Sequence, residues 1–176
     1  MKEIYLDNAA TTKVSKEVIK AMQPYYAKDY ANPSSKHTAG VKARKAVEKS
    51  RKIIANKIGA KSSEIIFTSG GTESNNLALK GLFFANFPSK NHIITTKIEH
   101  DSVINVCKWI ETQGAKVTYL DVDKEGFVSL NELNKAITAK TFIVSIIHGN
   151  NEIGAIQNIE QIGKLCRSKG VLFHTD

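Results

Sequence analysis

Cysteine is scarce in this chain, with only Cys107 and Cys166 among 176 residues. They stand far apart, with no CxxC and no Cys/His cluster at metal-ligand spacing. This excludes the common zinc and dithiol redox signatures. Cys107 shares a predicted helical face with Val103 and Ile110, and Cys166 accompanies Ile159 and Ile162. Both read as small buried hydrophobes rather than nucleophiles. Long apolar runs are missing as well: none approaches the roughly 18 residues of a membrane span. The segment MKEIYLDNAATT carries acidic residues where a signal peptide would have an apolar core. The expectation is a cytoplasmic protein with no membrane partner. No GxxxxGK[ST] and no GxGxxG occurs, which excludes the Walker loop and the dinucleotide fingerprint. Internal repeats, low-complexity tracts and linkers are also absent.

What remains is an ordinary globular composition, 41% hydrophobic and 24% charged, with a net charge of +8. Much of the basic excess lies in VKARKAVEKSRKIIANKI, residues 41–58. Ala43, Val47, Ile54 and Ile58 fall on one predicted helical face, and Lys42, Lys45, Lys49 and Lys52 line another. The stripe reads as a solvated helix face, with a docking surface for an acidic protein or RNA as the sharper alternative. No aromatic residues interleave with it, which counts against nucleic acid as a direct ligand.

Short β-branched runs alternate with amphipathic stretches along the rest of the chain. Strands are predicted at EIIFTS (64–69), HIITTK (92–97), AKVTYLD (115–121), TFIVSII (141–147) and GVLF (170–173). Helices are predicted over about 73–85, 102–112, 130–137 and 160–168, with a turn at Lys124-Glu125-Gly126. Two earlier helices, about 15–28 and 39–58, flank a loop rich in turn chemistry, YANPSSKHTAG. The pattern predicts an α/β fold, a mostly parallel sheet with helices on both faces. It also predicts two parts: a helical segment over 1–60 and an α/β core over 61–176.

In open α/β sheets, ligands bind beyond the C-terminal ends of the strands. Four predicted strands end in polar residues there: Gly70 to Ser74, Glu99 and His100, His148 to Glu152, and His174 with Asp176. In SGGTESN, two glycines before a helix can bring backbone N–H groups up to an anion. An equally weighted reading is a tight turn capped by Thr72. His100 can lie flat against an aromatic ring or move protons near neutral pH. The Asn151 amide can bond a ring substituent or a carboxylate, or simply make a turn. Asp176, at a strand tip, calls for a cation or donors. A protonated pyridine nitrogen would serve, as in enzymes of pyridoxal phosphate (PLP).

Six segments together carry a resemblance: YLDNAATT (5–12), NPSSKHTAG (32–40), IIFTSGGTESNNLALKG (65–81), IITTKIEHDSV (93–103), VSIIHGNNEIGAIQ (144–157) and LFHTD (172–176). In order and spacing they resemble the NifS/IscS group of cysteine desulfurases, in the class V aminotransferase superfamily. The resemblance implies the N-terminal part of the large domain of a PLP fold type I enzyme, incomplete at the C-terminal end. It implies conversion of L-cysteine to L-alanine, with the sulfur passed to an enzyme cysteine as a persulfide. By the same resemblance, Gly71 and Thr72 belong to the phosphate loop, and His100 stacks on the cofactor and shuttles protons. Asn151 lies near the cofactor's phenolic oxygen, and Asp176 partners the pyridinium nitrogen. Residues 8–11 and 32–37 match segments bordering the active site.

The group's Schiff-base lysine and nucleophilic cysteine fall beyond the part matched here, and neither Cys107 nor Cys166 matches that cysteine. The expectation is therefore that this chain alone does not turn over L-cysteine. A homodimer is implied for the complete enzyme, with a sulfur-acceptor scaffold as a candidate partner and iron–sulfur assembly as one candidate use. Two alternatives stay open at this point: a non-catalytic chain that pairs with a full-length desulfurase or an acidic scaffold, and a selenocysteine lyase or other class V enzyme.

Overall fold

The structure is a computed structural model that describes residues 4–176. The chain divides into two compact units, Met1–Phe67 and Thr68–Asp176.

In the first unit, helix α1 (Lys16–Ala27) is capped by Ser15, whose hydroxyl accepts the Val18 N–H, and α2 (Thr38–Ile58) is capped by His37. The loop between them is tight because Asn32 bonds within it. Its Oδ1 accepts from Ser34 N–H at 2.8 Å, and its carbonyl from Ser35 N–H at 3.0 Å. The basic stripe on α2 is exposed, as expected of a solvated face, and Lys42 pairs with Asp29. The predicted apolar face holds only in its first half. Ala43 is buried, whereas Ile54 and Ile58 are 41% and 67% exposed, and Ala55 is buried instead.

The EIIFTS segment is not a strand. Residues 62–64 form a single 3₁₀ turn, and the chain runs on without a ladder partner to the next helix. β-branched residues favour extended backbone, but a strand exists only when a neighbour takes its hydrogen bonds. Among the described residues none does. Instead, Arg51 donates to the Ile65 carbonyl and stacks over Phe67, 4.8 Å from the ring centre.

The second unit is a four-stranded parallel sheet in the order β2-β1-β3-β4, with β1 His92–Thr96, β2 Lys116–Leu120, β3 Thr141–Ser145 and β4 Leu172–His174. The intervening helices are α3 (Gly71–Asn86), α4 (Asp101–Thr112), α5 (Leu130–Ala136) and α6 (Ile159–Ser168). Alternate strand residues serve opposite faces. Ile93 packs with Leu79 and Phe83 of α3 and Val103, Val106, Cys107 and Ile110 of α4. Ile94 and Val144 pack with Leu133 of α5 and Ile162 and Cys166 of α6. Helices thus cover both faces, and β1 and β3 are buried throughout. A register shift beside His92 lets Phe142 and Ile143, neighbours in sequence, both join the α3/α4 side.

The strand order fixes where a crevice must lie. From β1 the chain turns to β2 on one side, while β3 sits on β1's other side and leads away to β4. The loops leaving β1 and β3 therefore part company at their C-terminal ends, the topological switch point where such sheets bind ligands.

Candidate functional site

Two clefts lie along this rim. One, of about 280 Å³, is lined by Gly71, Thr72, His100, Ser102 and Asp176. The other, of about 470 Å³, runs from Lys97 to Asp101 and Ile104 on one side and from Asn150 to Ile153 on the other. His100 lines both. Four of the five sequence-predicted residues thus share one cleft. Asn151 lies in its neighbour, joined to the first through His100.

Gly70, not Thr72, is the N-cap of α3, which corrects the capping alternative. The Gly70 carbonyl accepts from Ser74 N–H. The N–H groups of Gly71, Thr72 and Glu73 have no acceptor among the described residues, and neither does the Thr72 hydroxyl. A Cβ at Gly70 or Gly71 would meet nothing within 4 Å. The turn is therefore an open set of donors at a positive helix end, suited to a phosphate. Glu73 closes its outer side by accepting from Ser69 N–H and Oγ at 2.7 and 2.6 Å.

His100 caps α4 through Nδ1, which lies 3.1 Å from Ser102 N and 2.7 Å from Ser102 Oγ. Asn75 of α3 in turn donates to that oxygen at 2.8 Å. Asn75 and Ser102 are 3% and 8% exposed. Neither was marked by sequence reasoning, and no local signal points to them, because the contact joins residues 27 apart.

Glu99 crosses the switch point. Its Oε1 accepts from Thr96 Oγ1 at 2.6 Å and from Ile147 N–H at 3.0 Å, while Oε2 is buried without a partner among the described residues. Burial pushes this carboxyl up to about 7; the two hydrogen bonds pull the other way, and the Asp176 charge adds to the rise. Asn150 ties the same loops, donating to the Ile98 carbonyl at 2.7 Å and accepting from Glu152 and Ile153 N–H. Asp176 enters the rim by its backbone, its carbonyl accepting from His148 N–H at 3.0 Å. Its carboxylate has no hydrogen-bond partner among the described residues. His174 is instead spent on the sheet, with Nδ1 2.8 Å from Ser145 Oγ.

The described residues contain no His/Cys/Asp/Glu group able to hold a metal, and no helix long and apolar enough to cross a membrane. Comparison with known proteins bears on this rim. The class V aminotransferase family matches residues 4–176. The chain belongs to that family. Among curated relatives, cysteine desulfurase IscS of Dictyoglomus turgidum is 50% identical over 99% of this chain, which spans 44% of that protein. Cysteine desulfurase 2 of Trichormus variabilis is 52% identical over the whole chain, again with 44% of its own length covered. The chain thus spans less than half the length of these relatives. Among solved structures, a NifS-like protein superposes with a TM-score of 0.93 at 41% identity, covering 96% of this chain and 47% of its own. SspA in complex with cysteine follows at 0.91 and 45%, covering 96% and 48%. The relatives bear the names of the group that the six segments resemble, and the parallel α/β fold is the one expected.

Proposed function

We propose that this chain forms the cofactor-cradling part of a PLP-dependent cysteine desulfurase. The observation that carries the reading is the convergence of Gly71, Thr72, His100 and Asp176 on one cleft. The residues fit the group. The unpaired N–H donors of Gly71 and Thr72, with the Thr72 hydroxyl, suit its phosphate, and the imidazole of His100 offers a flat face for its ring. The unpartnered carboxylate of Asp176 suits its pyridine nitrogen, and the Asn151 amide is available to a ring oxygen or a substrate carboxylate. When bound, PLP supplies the electron sink for chemistry at the substrate's α-carbon.

The residues of this chain bind, orient and screen; none is a candidate nucleophile. Cys107 and Cys166 are buried, and burial holds their thiols up at about 12 and about 11. Persulfide formation needs a thiolate. Of the lysines, Lys97 lines one of the two clefts, and Asp121 holds it at 2.6 Å. Release of alanine from L-cysteine by this chain alone is therefore not expected.

Equilibrium dialysis against PLP tests the reading. The chain should bind PLP, and Asp176→Ala and Thr72→Ala should each weaken binding by about tenfold or more, one or two charge-assisted hydrogen bonds' worth. Binding that neither substitution alters would show that the cofactor does not use this cleft.

A further inference from the structure

We propose that Asn75 and Ser102 are positioning residues that fix the tautomer of the neutral His100 ring, with its proton on Nε2. On this proposal His100 offers the cleft a hydrogen-bond donor at Nε2 and is not a proton acceptor at that atom.

The direction of the relay follows from donor chemistry. A backbone N–H can only donate, and Ser102 N sits 3.1 Å from Nδ1. Nδ1 therefore presents its lone pair. Ser102 Oγ, 2.7 Å from the same nitrogen, must bring its proton to it. That oxygen can do so because its own lone pair is met by the Asn75 amide N–H₂ at 2.8 Å. The chain Asn75 to Ser102 to His100 thus points one way, and each bond polarises the next. Asn75 and Ser102 are largely buried, which limits the competition of solvent for the Ser102 proton. A proton on Nδ1 would face the Ser102 N–H and lose that bond, and Ser102 Oγ would have to turn from donor to acceptor. Nε2 has no partner among the described residues and carries the remaining proton.

The consequence sharpens the role that family resemblance gives this histidine. An Nε2 that already bears hydrogen can polarise a negative atom placed against it. To take up a proton there, the ring would first have to reverse its tautomer against the relay. The relay also joins the two cleft walls, since Asn75 lies on the helix of the Gly71–Thr72 turn and Ser102 on the helix that His100 caps. The relevance to PLP rests on the function proposed above; the relay itself does not.

Long-range ¹H–¹⁵N correlation of the histidine-labelled 176-residue chain reads the tautomer directly, with His100 assigned by its loss in His100→Gln. The expected spectrum has one neutral form, with Nδ1 unprotonated and Nε2 protonated, and a slowly exchanging Ser102 hydroxyl proton. In Asn75→Asp the donor becomes an acceptor and draws the Ser102 proton away, so the single Nε2–H form should be lost. In Ser102→Ala the hydroxyl signal should vanish and an Nδ1–H form should appear beside the Nε2–H form that the remaining backbone N–H still favours, and Ser102→Thr should restore the single form. If Asn75→Asp does not fold, the Ser102 pair carries the test. A wild-type His100 protonated on Nδ1, or spectra indifferent to both sites, would overturn the proposal. PLP dialysis of the wild-type chain beside Asp176→Ala and Thr72→Ala separates the two claims: a fixed tautomer with cofactor binding that neither substitution alters would remove the cofactor reading and leave the relay standing.

Discussion

Glu99 Oε1 accepts the Ile147 N–H at 3.0 Å, so one carboxylate joins the loop after β1 to the chain leaving β3. The carboxyl is held up at about 7 against an ordinary 4.5. The folded state therefore keeps a proton that the unfolded chain releases. The sign follows: the folded state's advantage is fullest below 4.5 and is lost as the pH rises from there to about 7. The loss attributable to this group is about 3 kcal/mol. Glu99→Gln keeps an acceptor for Thr96 and Ile147 without the charge. It should flatten that part of the pH profile and be more stable than wild type at pH 8 by about 2 kcal/mol. Urea unfolding followed by Trp109, the single tryptophan, reads this at pH 5 and pH 8. Parallel pH profiles for the two proteins would refute it.

At the other end of β1, His92 sits between Thr141 Oγ1 and Thr118 Oγ1, each 2.8 Å from a ring nitrogen. Burial, with a smaller contribution from Lys116, holds its pKa below the usual 6.5. The unfolded chain therefore binds this proton more readily, and stability falls as the pH drops through that range. His92→Leu should remove that acid-side loss, yet cost about 1–3 kcal/mol at neutral pH by leaving the Thr118 hydroxyl without its imidazole partner. A variant as acid-sensitive as wild type would contradict this.

In the first unit, a Cβ on Gly40 would lie 2.5 Å from the Ser35 carbonyl and 2.9 Å from that of Asn32. Both are backbone atoms of the loop that α2 closes, so the loop itself must move. Gly40→Ala should cost about 1–3 kcal/mol, seen as faster amide exchange in α2. Unchanged exchange there would mean that the loop yields freely.

Neither thiol should react with a chromogenic disulfide reagent while the chain is folded, and both should react in denaturant. Rapid labelling of the native protein at Cys107 or Cys166 would show that one is more open than its burial implies.

Much of this was legible from sequence because β1 and β3 are short β-branched runs bounded by turn residues, and their helices carry apolar faces at helical spacing. EIIFTS had the same composition and failed, because a strand needs a partner and composition does not report one. Ile54 and Ile58 failed for a related reason: periodicity gives a face but not what lies against it. At the rim, His100 and Asp176 were singled out because they follow strands, and Gly71 and Thr72 because a glycine pair precedes a helix, although the segment ahead of them is not a strand. Asn75 and Ser102 were invisible because their meaning lies in a bond between two helices. Glu99 was noted as polar, but its role as a bridge depends on Ile147, 48 residues away.

The order β2-β1-β3-β4 has one more consequence. The crevice is placed by the route of the backbone, not by any side chain. The loops at 97–100 and 148–158 could change in length and residue without relocating it. The place of the crevice on this sheet is therefore independent of most of the rim chemistry. Bridges such as Glu99–Ile147 and Asn150–Ile98 tie the two loops together across it.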